Sequence, residues 1–317
     1  MKGRIERGIR WSRRVVAPSI LIALFVALAS PVWAGGGNVT LIINAPDKAG
    51  VPRNYRSTSE KLDGDHPSTA GLDKLRASGS GQFSGKGLAA ILKRTGGAPL
   101  LVLDLRGESH GFVGGTAVSW FASRDWANKD KTPDQISDDE SQLLATLTTE
   151  PKITARKVTA KNSDGAIESS KRVTLTAQTV QSEEQLVAAQ GDSYVRVYAT
   201  DHVRFTDAQI DQLVAFWQNR PADRWVHVHC AAGDGRTTTA LVMFDILENA
   251  SAVSLKDIVD RQEKLGGIDV LSVKTKPKWR HDGETERAEF VRRFYQYAQE
   301  HPRGGGETWS SWAARNP

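Results

Sequence analysis

The chain has 317 residues, 39% of them hydrophobic and 25% charged, a balance that supports a buried core and argues against wholesale disorder. Its 42 basic and 37 acidic residues give a net charge of +5, but removing residues 1–34 takes away six basic and one acidic residue and leaves 36 of each. A basic excess confined to the leader is no argument for nucleic-acid binding.

The leader reads as an export signal. Lys2, Arg4, Arg7, Arg10, Arg13 and Arg14 precede an apolar run from Ile20 to Leu28, and Val32 to Ala34 supplies small residues for cleavage. The run is shorter than the roughly 20 residues a membrane span requires. The expectation is a signal peptide over 1–34 and a mature protein in the periplasm or outside the cell. Arg13 and Arg14 leave twin-arginine and Sec export both open.

Residues 35–64 are turn-rich, with one strand expected over Val39 to Ile43. Gly79 to Gly85 reads as a loop, Leu88 to Lys93 as a short helix stopped by Gly96 and Gly97, and Pro99 to Asp104 as a buried strand. Residues of about 124–182 are polar and alternating. Ile153 to Thr159 and Arg172 to Ala177, joined by a turn at Asn162 to Gly165, predict an antiparallel hairpin in a small inserted β subdomain.

From Tyr194 strands and helices alternate. Tyr194 to Tyr198 is a strand, and Thr206 caps a helix to about Asn219, with Gln209 completing a capping box. Val226 to Cys230 is a strand, Arg236 to Glu248 an apolar helix, and Ser254 caps another to about Lys264. Glu284 to Glu300 forms an amphipathic last helix.

Cys230 is the sole cysteine, so the chain forms no internal disulfide, and a free thiol in an exported protein calls for burial or chemistry. Its surroundings favour chemistry. Cys230 and Arg236 are separated by five residues (Ala231, Ala232, Gly233, Asp234 and Gly235), between an apolar strand and a helix. The glycines permit backbone angles that converge N–H groups on one point, where the helix dipole adds positive potential. Arg236 can grip two phosphate oxygens, the same field favours the thiolate of Cys230, and Thr237 can donate to the sulfur. Gly-Lys-Ser/Thr is absent, so this is not a nucleotide P-loop. No metal-ligand pattern stands out: His227 and His229 share a strand face without an evident carboxylate.

The segment from His229 to Thr238 resembles the signature of the protein tyrosine phosphatase superfamily. More narrowly it is similar to that of the cysteine phytases, the phosphatase-like inositol polyphosphatases of bacteria. Ala199 to His202, with Asp201 standing 29 residues before Cys230, supports the match. So do Asp104 to Phe112 and the run from Gly266 through Lys274 and Lys276 to Trp312, and the resemblance covers roughly Asn44 onward. It implies an α/β fold: a protein tyrosine phosphatase-like sheet flanked by helices, with a small antiparallel β subdomain, in one phosphatase domain over 35–317. It implies stepwise hydrolysis of myo-inositol hexakisphosphate through a cysteinyl phosphate.

By the same resemblance Asp201 is the general acid and then base, and Arg236 and the amides of residues 231–235 hold phosphate. His202, Arg56, Lys274 and Lys276 contact substrate phosphates, with Lys278 a further candidate, and His229 orients the phosphate loop. Arg106, Glu108 and His110 shape the pocket floor or hold the loop. No cofactor or metal is implied, and the partner is a small polyphosphorylated molecule, not nucleic acid or, after signal removal, membrane. Two rivals stay open: a phosphoprotein phosphatase using Tyr55 for recognition, and a binding module without turnover.

Overall fold

In the computed structural model, residues 39–63, 66–176 and 179–317 are described; the expected signal segment lies outside them. In chain order the elements are β1 (Thr40–Ala45), β2 (Arg56–Ser57), β3 (Ala77–Ser80), α1 (Gly85–Arg94), β4 (Leu100–Asp104), β5 (His110–Val113) and β6 (Thr116–Phe121). They continue with α2 (Pro133–Thr148), β7 (Lys152–Lys161), β8 (Ile167–Thr176), β9 (Val180–Gln181), α3 (Glu183–Ala188), β10 (Ser193–Arg196), α4 (Asp207–Asn219) and β11 (Trp225–His229). The last are α5 (Gly235–Asn249), α6 (Leu255–Lys264), α7 (Lys278–Glu300) and α8 (Trp309–Arg315). Among the described residues no helix is long and apolar enough to cross a membrane.

The central sheet has the order β10-β4-β11-β3-β2, parallel except for β2. Both its faces are covered, which explains the unbroken apolar run of β4. Leu101 and Leu103 pack with Val226 and Val228 against α4, α5, α6 and α7. Leu100 and Val102 face the other way, onto α1, α3 and Phe112 of β5. α5 is apolar all round because it is buried all round: every residue from Arg236 to Leu247 is buried. Trp217 of α4 stacks on Phe244 of α5 with ring centroids 4.3 Å apart. At the C-terminus, Trp309 and Trp312 of α8 join Phe290, Phe294 and Tyr297 of α7 in one aromatic cluster.

The second sheet, β8-β7-β1-β6-β5-β9, is wider than the stretch of about 124–182 from which the sequence predicts a subdomain. β1 enters from the start of the described chain and pairs antiparallel with β6, while touching β7 in parallel. The β7–β8 hairpin is present as expected. Part of the polar stretch is instead helix α2, begun by a capping box of Thr132 and Gln135 with Pro133 in its first turn.

Candidate active site

Cys230 follows the C-terminal end of β11, and α5 begins five residues later at Gly235. The connecting loop is held from outside through its carbonyls. Ala231 O accepts from Arg53 Nη2 (2.6 Å) and Gln82 N (3.2 Å), Ala232 O from Asn54 Nδ2 (3.0 Å), and Gly233 O from Arg56 Nη1 (2.9 Å). In a trans peptide the next N–H points opposite the carbonyl, so outward carbonyls at 231, 232 and 233 turn the amides of 232, 233 and 234 inward. The Gly233 N–H accordingly reaches Cys230 Sγ at 3.3 Å. Gly233 has φ 86°, and a Cβ there would lie 2.3 Å from Gly81 N, so only glycine fits.

Arg236 is buried and tightly gripped. Nη2 donates to Glu108 Oε1 (2.6 Å), and Nη1 to Glu108 Oε2 (2.9 Å), Ala199 O (2.9 Å) and Leu105 O (3.1 Å). Nε faces Asp201 Oδ1 at 3.2 Å. Nε and the second Nη2 hydrogen are thus the donors left for a phosphate. Burial opposes the guanidinium charge, but Asp201, Glu108 and Cys230 outweigh it and hold Arg236 well above the usual arginine range. Burial likewise opposes the Glu108 carboxylate, and Arg236 and Arg106 overcome it, pulling Glu108 down to about 2.

Asp201 and His202 stand on the wall of the same pocket as Cys230 and Arg236, a cavity of about 200 Å³. Trp126 Nε1 donates to Asp201 O (2.7 Å), and His202, at φ 63°, sets Nε2 3.3 Å from Asp201 Oδ2 and its ring edge-on to Trp279. Burial pulls the His202 imidazole down, against Asp201. Gly283 of α7 passes so close that a Cβ would lie 2.2 Å from His202 O. Asp125 joins Glu108 and Asp201 in a carboxylate group. Burial and Glu108 push its carboxyl up to about 7.

Several expected contacts fall elsewhere. Arg56 is buried, with Nη1 on Asn54 O and Gly233 O and Nη2 on Thr238 Oγ1 (2.9 Å each), so it braces the loop and does not face the pocket. Thr237 Oγ1 donates to Ser80 O at 3.5 Å, because the first turn of α5 packs on β3; the hydroxyl is not on the sulfur. His229 points into the sheet's other face: alternation along β11 sends it against Phe83, with Nε2 2.5 Å from Glu183 Oε1. It does not line the Cys230 pocket, and the carboxylate the sequence did not reveal is Glu183 at the start of α3.

His110, Glu183, Asp104 and Arg196 continue that buried ion-pair network. Arg106, at Gln82 Oε1 (2.5 Å) and near Glu108, is structural, as is His110. Of the lysines, Lys274 lines the pocket. Lys276 is not among the lining residues, and Lys278 pairs with Asp282 (2.6 Å) on the exposed side of α7. Tyr55 stacks on His227, away from the pocket, which removes the support for a tyrosine-based recognition loop.

The sequence reading passed over Arg204, Arg280 and Arg287, which line the pocket beside Lys274. Arg280 and Arg287 lie on one face of α7, seven residues or about two turns apart, and Gly283 between them is the signal that something approaches that face. A second lobe of about 660 Å³ shares Asp201, His202, Ala232, Asp234 and Arg280 with the first and adds Arg53, Arg124, Lys157 and Lys161. The charge that the net balance conceals is gathered here.

Comparison with known proteins agrees with this geometry. Residues 103–248 match the family model PTPlike_phytase, described as inositol hexakisphosphate. The chain is 37% identical to the PTP-like myo-inositol phosphatase of Mitsuokella multacida, solved in complex with myo-inositol-(1,3,4,5)-tetrakisphosphate, at a TM-score of 0.82 over 88% of this chain and 48% of that one. It is 36% identical to the PTP-like phytase of Bdellovibrio bacteriovorus, with a TM-score of 0.70 over 88% of this chain and 96% of that one. It is also 31% identical over 250 residues to effector protein hopD2 of Pseudomonas syringae pv. tomato, covering 78% of this chain and 53% of that protein. The chain thus spans about half the length of the hopD2 and Mitsuokella relatives. On its fold, its Cys230–Arg236 loop and its likeness along nearly the full length of the Bdellovibrio enzyme, this chain belongs to the protein tyrosine phosphatase-like cysteine phytases.

Proposed function

We propose that the protein removes phosphate stepwise from polyphosphorylated inositols, with inositol hexakisphosphate as its substrate. The observation that carries the reading is the inward amide ring over Cys230 Sγ, set between Arg236 and a wall of cations on α7. A thiolate at Cys230 is attracted by Arg236 and by Arg56. It attacks phosphorus, the S–P bond forms, and the P–O bond to the ring breaks while Asp201 gives its proton to the leaving oxygen. Water then attacks the cysteinyl phosphate, Asp201 takes the proton, and inorganic phosphate leaves as the thiolate returns. The amides and Arg236 stabilise the charge that develops on the equatorial oxygens. The basic, apolar, small-residue order of residues 1–34 supports export, and the reaction would then take place in the periplasm or outside the cell.

Phosphate release from inositol hexakisphosphate and from a phosphotyrosine peptide, measured side by side on residues 35–317 with fresh reductant, tests the substrate. The expected result is fast release from the inositol and little from the peptide; the reverse preference contradicts it.

A further inference from the structure

The inner face of the β7–β8 hairpin changes character along its length. Ile153 lies opposite Leu175 and Ala155 opposite Val173, an apolar ladder against the sheet's core. The next pair on that face is Lys157 opposite Lys171, both exposed. Directly opposed side chains stand about 5 Å apart at Cβ, and like charges there destabilise a sheet. Among the described residues neither lysine has an acidic side chain at ion-pair distance. Lys157 lines the lobe that also holds Lys161, Arg280, Asp201 and the Ala232 end of the catalytic loop, so it stands where the core gives way to the cleft, with Lys171 opposite it on the neighbouring strand.

We propose that Lys157 and Lys171 form an outer anion site, which takes a phosphate group of the same ligand whose scissile ester sits over Cys230. The inference rests on the reading of the ligand as a polyphosphate. A phosphate between the two ammonium groups turns a repulsive pair into a bridged one, so the site gains more from an anion than two isolated surface lysines would. The adjoining pair, Arg156 opposite Arg172, repels in the same way but points to the other face of the hairpin, away from the cleft. It provides an internal control.

The test is calorimetric binding of inositol hexakisphosphate to the Cys230→Ser chain, with thermal unfolding of the free protein in parallel. Lys171→Glu should raise the unfolding midpoint, since it replaces repulsion by attraction, and weaken binding about tenfold, a factor that corresponds to about 1.4 kcal/mol. Lys157→Ala should weaken binding in the same direction, and inorganic phosphate alone, which needs only the inner site, should bind all variants equally. Arg172→Glu should raise the midpoint and leave binding within about twofold, as expected for a charge on the far face. Unchanged binding in Lys171→Glu and Lys157→Ala, or equal weakening in Arg172→Glu, overturns the outer site. Absence of binding already in Cys230→Ser overturns the polyphosphate reading itself, before any lysine is changed.

Discussion

Arg236 and Glu108 form a two-pronged ion pair in the floor of the pocket, Nη2 to Oε1 at 2.6 Å and Nη1 to Oε2 at 2.9 Å, both side chains buried. The pair fixes the plane of the guanidinium, and with it the direction of the Nε and Nη2 hydrogens that remain for a phosphate. Glu108→Gln keeps the shape but loses the charge and one acceptor. Its kcat/KM should fall about 10- to 100-fold, the cost of a small misplacement at the reacting centre. The loss should be equal on inositol and aryl phosphates, because Arg236 serves the transferred group and not the leaving group. Steady-state kinetics on both substrates checks this.

Asp201 serves the leaving group. An inositol alkoxide needs a proton as it departs and a nitrophenolate does not. Asp201→Asn should therefore slow inositol phosphates by roughly 10²–10⁴-fold, the usual worth of a positioned acid, and an activated aryl phosphate far less. Equal losses on the two substrates would remove Asp201 from the acid role.

Arg56 braces the loop through Gly233 O and Thr238 Oγ1. Arg56→Met should lower stability by about 2–3 kcal/mol, as buried acceptors lose a charged donor. It should lower kcat on a small aryl phosphate as much as on the inositol substrate. A change confined to KM for the inositol would instead return Arg56 to direct substrate contact.

His110 gives the protein an alkaline sensitivity. Burial and Arg106 disfavour its charge, but Asp104 prevails and raises it from 6.5 to about 9. A raised histidine contributes its stability below pH 6.5 and loses it as the pH climbs toward 9. Asp125, pushed up to about 7, has completed most of its own loss below that window. Denaturation midpoints measured from pH 7 to 9 should fall in the wild type and stay flatter in His110→Gln. Parallel slopes in the two proteins would place the titrating group elsewhere.

Much of the phosphatase half was legible in the sequence because its signals are local. Apolar runs gave β4 and β11, the Thr206–Gln209 box gave α4, and the five-residue spacing from Cys230 to Arg236 gave the loop. What the sequence hid depends on pairings across long separations. The β subdomain looked like an insertion because β1, its central strand, lies over 100 residues from β7. Glu183 and His229 meet 46 residues apart. Arg56 was misjudged because a cation beside a phosphate loop can face the ligand or brace the loop from behind, and only the fold says which. Arg280 and Arg287 were readable in principle, since seven-residue spacing puts both on one face of α7, with Gly283 marking the close approach.

The most direct test of the account is phosphate release from inositol hexakisphosphate by the wild type and Cys230→Ser, with binding measured on both. Amides and Arg236 hold the phosphate, and sulfur alone attacks it. Cys230→Ser should therefore bind the substrate with affinity near the wild type and release no phosphate. Continued release by that variant would contradict the cysteinyl-phosphate route.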